Sequence, residues 1–420
     1  MKVLYIVYWG ASEPLGQSLV LPAVKKLADL GAQLTLVTFE KPADLERADE
    51  ISRIRESLNE SGVHWIPLRY HKRPKVPATT FDIVNGAARG ILTSLRFKPD
   101  IIHARTFIGG LIGLALARFL RTKLIYHNEG FYPDEQVDGG VWNKDSLPHR
   151  VAKFLERRMY SRADAIIAMS YRGRQLLESL PAVQNKAAPV IVVPSCVDLE
   201  RFNWNGSRPH LPPESLRLVY IGSVGGRYIL DRIGRFAAVV FREVTPGHLR
   251  LLTNADRSLI HSMLDPSGLN EASWSVDSVP HAEMPEQLLP HHAGLFFLSQ
   301  GISEHGCSPT KIGEYWAMGL PVVTTAGVSD TDEIIHRRGV GVIVREHSDA
   351  EYRRAGEELR SLLKDPKLAQ RCRRAAEAHY ALQPACERQA SLYWSLISGK
   401  RTRIFSEAKN LRVPLDESRS

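Results

Sequence analysis

The chain has 420 residues, 44% of them apolar and 24% charged, a composition that excludes disordered and fibrous classes. Its length exceeds what one growing core supports, so two domains of about 200 residues each are predicted. The formal net charge of +9 leaves nucleic acid, an anionic membrane surface or a polyanionic substrate open as partners.

The opening "MKVLYIVYWGASEP" lacks a long apolar region and a small-residue cleavage site, so it reads as a buried strand rather than a signal peptide. The longest later apolar run, "TFIGGLIGLALARFL", contains Arg118 and is too short to span a bilayer. Cys196, Cys307, Cys372 and Cys386 stand far apart without metal spacing, as expected of unlinked thiols in a reducing compartment. A cytoplasmic protein is the expectation.

In chain order the elements alternate. The strand "KVLYIVYW" precedes the helix "GQSLVLPAVKKLADLG", and the strand "AQLTLVTF" precedes the helix "DLERADEISRIRESL". Next come the strand "VHWIPLRY", the helix "FDIVNGAARGILTSLRF", the strand "PDIIHAR", the helix "GGLIGLALARFLR" and the strand "TKLIYHNEG". Continuous rather than alternating apolar strands imply a doubly wound parallel sheet covered on both faces. After "VIVVPSCVDLERF" the polar "NWNGSRPHLPPES" reads as an interdomain linker. Beyond it "LRLVYIGSVGG", "HLRLLTN", "SWSVDSV", "AGLFFLSQ", "PVVTT" and "GVIV" form the strands of a second parallel sheet. The predicted division is 1–205, 206–384, and a helix and tail over 385–420, for which packing back on the N-terminal domain is one option.

Basic residues cluster in Arg69, His71, Lys72, Arg73 and Lys75, in the 352–374 run, and in "GKRTRIF". Interleaved Glu357 and Glu358 make the second a solvated helix face. In the first, Pro74 and Pro77 are expected to break any helix and leave the charges on an exposed connection that either contacts an anionic membrane or is merely solvated. Nucleic acid is disfavoured, because neither aromatic interleaving nor a helix-turn-helix or zinc pattern is present.

Ligands of open parallel sheets bind beyond the carboxyl ends of the strands, so the loops there hold the candidate residues. In "YWGASEPLGQS", Gly10 and Gly16 bracket a turn that offers free N–H groups at a helix start; this is not GxGxxG, although Glu40 stands near the ribose-binding place. In "LIYHNEGFYPDE", His127, Glu129, Asp134 and Glu135 place an imidazole and carboxylates on one rim. In "YIGSVGGRYILD", Gly222, Gly225 and Gly226 leave the backbone approachable, and Arg227 either meets a phosphate or is solvated. In "SPTKIGEYWAMG", Pro309 turns the chain, Thr310 is the expected N-cap, and a helix runs to Gly319. Lys311 opposes that helix's dipole unless an anion is bound. Glu314, three residues on, has two oxygens for the hydroxyls of a ribose. The pair thus points to a nucleoside diphosphate, with a surface ion pair as the alternative.

These residues, with "PDIIHAR", "SRADAIIAMS", "VVPSCVDLERF" and "SPTKIGEYWAMGLPVVTTAGVSDTDEII", resemble the family 4 glycosyltransferases over nearly the whole chain. The resemblance implies a GT-B fold of two Rossmann-like domains with parallel sheets facing a central cleft. It implies a retaining transfer from a nucleotide-diphosphate sugar, bound by the C-terminal domain, to a glycan or lipid-linked acceptor bound by the N-terminal one. The setting implied is exopolysaccharide, lipopolysaccharide or capsule synthesis, peripheral at the inner face of the plasma membrane. By resemblance Glu314 matches the second glutamate of the family's pair, His127 the position contacting the donor sugar, and Gly16 the loop facing the phosphates. Ser308, Pro309 and Thr310 form the turn ahead of the donor helix. Two departures stand out. Gly306 occupies the place of the family's first glutamate, with Glu304 two residues earlier, and Ser223 follows Gly222 where the family's Gly-Arg signature has its arginine. Arg227 and Lys311 are then the phosphate cations. Glu129 and Glu135 are candidates to orient the acceptor. Neither cofactor nor metal is implied. A non-catalytic nucleotide-sugar-binding protein and a nucleotide-sugar epimerase of the same fold are the alternatives.

Overall fold

The computed structural model describes residues 1–204, 214–299, 301 and 303–399. The predicted linker lies largely outside these residues, as does the basic run beyond Gly399.

Two compact units divide the chain: Met1–Asp134, Trp142–Pro194 and the segment from Leu382 in one, Glu135–Val141 and Ser195–Ala381 in the other. The first holds seven parallel strands: β1 (Lys2–Val7), β2 (Gln33–Glu40), β3 (His64–Arg69), β4 (Ile101–Arg105), β5 (Lys123–Asn128), β6 (Ala165–Ala168) and β7 (Val190–Val192). Their spatial order is 3-2-1-4-5-6-7. The second holds β8 (Leu216–Ile221), β9 (Gly247–Leu252), β10 (Trp274–Asp277), β11 (Ala293–Phe296), β12 (Val322–Thr325) and β13 (Gly341–Val344), in the order 10-9-8-11-12-13. Both are Rossmann-type sheets in which the winding reverses beside the first strand, between β1 and β4 and between β8 and β11. Central strands such as β1 and β4 are buried almost without interruption because helices cover both faces.

On one face of the first sheet the helix Phe107–Leu120 contacts both Lys75–Phe97 and Leu147–Arg162. Side chains that would hold these helices apart are missing. A Cβ on Gly86 would lie 2.9 Å from Ile112, one on Gly90 2.5 Å from Leu116, and one on Gly110 2.5 Å from Met159. Lys75–Phe97 begins earlier than expected. Pro74 precedes its first residue and Pro77 sits in its first turn, where a missing N–H costs nothing, so the two prolines start the helix instead of breaking it. Lys75 is therefore helical.

The helix Leu382–Ser398 packs on Leu21–Asp29 in the first unit. Arg388 donates to the Val192 carbonyl at 3.3 Å, and Tyr393 reaches the buried ring of His103 at 2.7 Å. Among the described residues no helix is long and apolar enough to cross a membrane.

Candidate functional site

In the second unit the helix Thr310–Ala317 starts behind Pro309, whose extended backbone occupies the N-cap position. Thr310 is thus the first helical residue rather than the cap, and no side chain caps the helix. Its first N–H groups have no side-chain cap, Ile312 N–H turning back to the Pro309 carbonyl at 3.3 Å, and the helix starts beside the ends of β8 and β11. There Lys311 is buried, with Nζ 3.7 Å from the centre of the Tyr228 ring, 4.8 Å from that of Tyr220 and 5.5 Å from that of Phe296. It donates to the Tyr220 hydroxyl at 3.3 Å, and among the described residues no carboxylate pairs with it. Burial brings its ammonium down to about 7, opposed only in part by Glu314.

Gly222 makes room for this lysine. It adopts φ +104°, and a Cβ there would stand 2.4 Å from Lys311 Cε. The next residue, Ser223, accepts a hydrogen bond from the Tyr220 hydroxyl on its carbonyl, leaving the side chain exposed. Arg227 is neither solvated nor free: Nη1 donates to Ser303 Oγ at 2.8 Å, and Nη2 lies 3.7 Å from Glu135. Glu135 stands in the short helix Tyr132–Asp138 and belongs to this second unit, apart from His127 and Glu129, with which it shares a loop in sequence. Asp138 of the same helix accepts from the Ser303 amide at 3.1 Å.

Ser303–Gly306 form a single 3-10 turn. Within it Glu304 is buried, its Oε1 has no partner, and burial pushes its carboxyl up to about 7. Gly306 is buried in the same turn, and Ser308 Oγ accepts from the Ser195 amide at 3.0 Å. Glu314 Oε1 is held by His281 Nε2 at 3.0 Å, and Arg201 donates to the His281 carbonyl and meets its Nδ1 at 2.9 Å. Glu314 Oε2 is left for another partner. Arg201 stands in the segment "VVPSCVDLERF" and His281 in the short 3-10 turn His281–Glu283, and nothing in either pattern marks them as neighbours of Glu314. Tyr220 and Tyr228 flank the glycine loop within the quoted "YIGSVGGRYILD", where only the glycines and Arg227 were singled out from the sequence.

In the first unit the corresponding switch point is internally satisfied. Glu40, the last residue of β2, accepts from the Ala11 amide at 2.7 Å and the Ser12 amide at 3.3 Å. The N–H groups expected to be free in the first loop are therefore occupied by the protein's own carboxylate. Gly16 closes that loop, since a Cβ there would sit 2.0 Å from the Gly10 carbonyl oxygen. His127 lies within β5, not in the loop after it, and its ring is buried. A consistent one-way chain runs through it: Gln389 donates to Tyr393 at 2.6 Å, Tyr393 to His103 Nδ1 at 2.7 Å, His103 Nε2 to His127 Nδ1 at 3.1 Å, and His127 Nε2 faces Met169 Sδ at 3.3 Å. Both imidazoles are then neutral, in keeping with burial and the nearby Arg105 charge, which hold them well below the ordinary range. Glu129 pairs with Arg105, which also stacks over Trp9 at 5.6 Å. Burial lifts the Glu129 carboxyl above the usual carboxylate range while Arg105 pulls the other way. Among the described residues no group of three His, Cys, Asp or Glu side chains is placed to hold a metal ion.

The fold is that of GT-B proteins. Sucrose-phosphate synthase from Thermosynechococcus elongatus superposes with a TM-score of 0.70 at 14% identity, over 95% of this chain and 100% of that one. The Anabaena protein HepE, solved in complex with UDP and glucose, gives 0.64 at 14% identity over 94% and 100%. A UDP-N-acetylglucosamine 2-epimerase gives 0.56 at 12% identity over 96% and 97%. No curated protein sequence matches. Residues 18–196 match the family described as a glycosyl transferase 4-like domain. That match spans less than half of the chain, so what stands is a glycosyl transferase 4-like domain over residues 18–196 within a GT-B fold of two Rossmann-like sheets.

Proposed function

We propose that the chain moves a sugar, with retention of configuration, from a nucleotide-diphosphate sugar to a hydroxyl of a glycan or lipid-linked acceptor. The observation that carries this reading is Lys311: a buried cation at an uncapped helix N-terminus without an ionic partner is an incomplete electrostatic arrangement, and a diphosphate completes it. Glu314 Oε2 takes the ribose hydroxyls, with His281 fixing the other oxygen. Arg227, Ser303 and the Gly222–Ser223 backbone border the phosphate place, and the unpartnered Glu304 carboxyl takes a hydroxyl of the donor sugar in the absence of an acid at Gly306.

In the reaction the acceptor oxygen bonds to the anomeric carbon, the bond from that carbon to the diphosphate oxygen breaks, the acceptor's hydroxyl proton passes to the departing diphosphate on the same face, and the remaining charge is met by Lys311, Arg227 and the helix N-terminus. The donor belongs to residues 206–384 and the acceptor to 1–205, where Glu129 orients it. His127 shapes that side from within β5. A lipid-linked acceptor would place the protein at an anionic membrane surface, with the charges of 69–75 in contact with it.

Calorimetry against UDP, GDP, ADP and CMP, run on the wild type and on Lys311→Ala and Glu314→Ala, tests the reading. Selective binding of one nucleoside diphosphate, weakened in both variants, is expected. Failure of every nucleotide to bind folded protein overturns it. Turnover of the sugar nucleotide without acceptor would indicate an epimerase, and binding without turnover a non-catalytic protein.

A further inference from the structure

The large apolar side chains left exposed in this chain concentrate on three neighbouring helices. On Lys75–Phe97 the positions Phe81, Val84, Ala88, Leu92 and Leu95 follow steps of three and four residues, so they line the side opposite the glycines that pack on Phe107–Leu120. Phe119 continues the surface on the middle helix. Leu147, Val151 and Phe154 repeat the pattern on Leu147–Arg162. Leaving Ala88 aside, these eight side chains are each between 49% and 74% exposed.

The charges on the same helices are of one sign. Arg89, Arg96, Arg118, Arg150, Arg157 and Arg158 are exposed, and none has a carboxylate partner among the described residues. The only acids on the three helices are Asp82 and Glu156. Both are buried and used internally, Asp82 by His71 and Tyr8, and Glu156 by Lys153. Arg158 lies over the Phe154 ring at 5.2 Å, its stem on the apolar surface and its charge at the rim. At the C-terminal end of the first helix a groove lined by Leu34, His64, Leu92, Leu95, Arg96 and Phe97 extends the apolar surface.

A solvated helix face carries both signs of charge and scattered apolar residues. A protein partner would require an interface of defined shape, whereas here three neighbouring helices expose large apolar side chains beside arginines that have no carboxylate partner among the described residues. We propose that this face docks on an anionic lipid bilayer, with the apolar ridges entering the headgroup boundary and the arginines meeting lipid phosphates. The surface extends the contact at 69–75 to a broad helical platform, and it stands whether or not the transfer reading does.

Co-sedimentation of the full-length protein with vesicles of phosphatidylglycerol or of phosphatidylcholine tests it without nucleotide or acceptor. Binding to the anionic vesicles, weak on the neutral ones and weakened by salt, is expected. Each basic group near such a surface contributes about fivefold in partition, so Arg150→Gln with Arg157→Gln lowers it about thirtyfold. Phe81→Ser with Leu92→Ser lowers it about tenfold. All four positions are exposed, so circular dichroism and nucleotide binding should remain as in the wild type. No binding to anionic vesicles, equal binding to both kinds, or binding unaltered by both double variants overturns the proposal. So does self-association that Phe81→Ser with Leu92→Ser abolishes in a protein that ignores vesicles, since the face would then join two copies of the chain.

Discussion

Replacing Lys311 by methionine keeps most of the stem among Tyr220, Tyr228 and Phe296 and removes the charge. Burial takes the ammonium from its ordinary 10.5 down to about 7. With about 1.4 kcal/mol per pKa unit, that difference corresponds to roughly 5 kcal/mol of unfavourable charge burial, fully present below pH 7. Between 7 and 10.5 the unfolded chain holds more protons than the folded one, so the penalty is relieved as pH rises and wild-type stability climbs across that window. Lys311→Met removes the penalty and loses the cation–π contacts, leaving the ligand-free protein roughly 2–4 kcal/mol more stable at pH 7, a rise in Tm of about 5–10 °C. The same variant binds its nucleoside diphosphate about tenfold to a hundredfold more weakly, because a charge-assisted contact to phosphate is lost.

A bound diphosphate restores the ordinary preference of Lys311 for its proton, so wild-type binding takes up a proton between pH 7 and 9 and weakens by up to about tenfold per unit in that range. Calorimetry at pH 8 in two buffers of different ionisation enthalpy reads the uptake directly, and thermal unfolding reads the stability. A variant that melts no higher than the wild type, together with wild-type affinity that is flat from pH 7 to 9, would refute both the buried-charge account and the phosphate assignment.

Gly222→Ala forces a side chain into a φ of +104° and against Lys311, so a loss of about 1–3 kcal/mol in stability and a nucleotide affinity close to that of Lys311→Met are expected from denaturant titration and calorimetry. Glu304→Gln removes a carboxyl whose folded pKa is raised to about 7, so the wild type loses stability as pH rises from about 4.5 to 7. The variant should melt close to the wild type at about pH 4, below the ordinary carboxyl pKa, and higher at pH 8. Tyr393→Phe leaves His103 Nδ1 buried without a donor and should cost about 1–3 kcal/mol while leaving nucleotide affinity untouched, which denaturant titration beside calorimetry would show. Arg73→Glu with Lys75→Glu should reduce co-sedimentation with anionic vesicles; unchanged binding would remove the 69–75 charges from the contact.

The strands were legible because parallel strands buried on both faces read as unbroken apolar runs, "LYIV", "DIIHA" and "LVYIG" among them. What the sequence hid lay where position outweighs pattern. Pro77 reads as a breaker until the first turn of a helix excuses its missing N–H. Glu40 stands in sequence near the place of a ribose ligand, and only the fold shows Ala11 and Ser12 donating to it. Lys311 and Glu314 are one turn apart in the helix, but spacing alone did not reveal that aromatic rings would enclose the first and a histidine hold the second. His281 reaches Glu314 from 33 positions away and is itself held by Arg201, 80 positions before it, a juxtaposition that only the folded chain creates.

The two switch points solve the same geometric problem in opposite ways. In the first unit Glu40 satisfies the loop amides, Arg105 pairs with Glu129, and His103 and His127 stay neutral in a closed chain of hydrogen bonds. A site whose charges are mutually satisfied has little to gain from a charged ligand, and suits a neutral, hydroxyl-rich one. In the second unit, among the described residues, no side chain caps the helix N-terminus, no carboxylate pairs with the buried Lys311 and Glu304 keeps an unpartnered oxygen, each at a cost to the free protein. Lys311 and Glu304, buried charged groups without a full set of partners among the described residues, both stand at the second switch point, an arrangement suited to an anion there. On the proposed transfer the donor falls to the second sheet and the acceptor to the first, and the stability expected of Lys311→Met measures how much of the donor's binding energy the ligand-free protein holds in reserve.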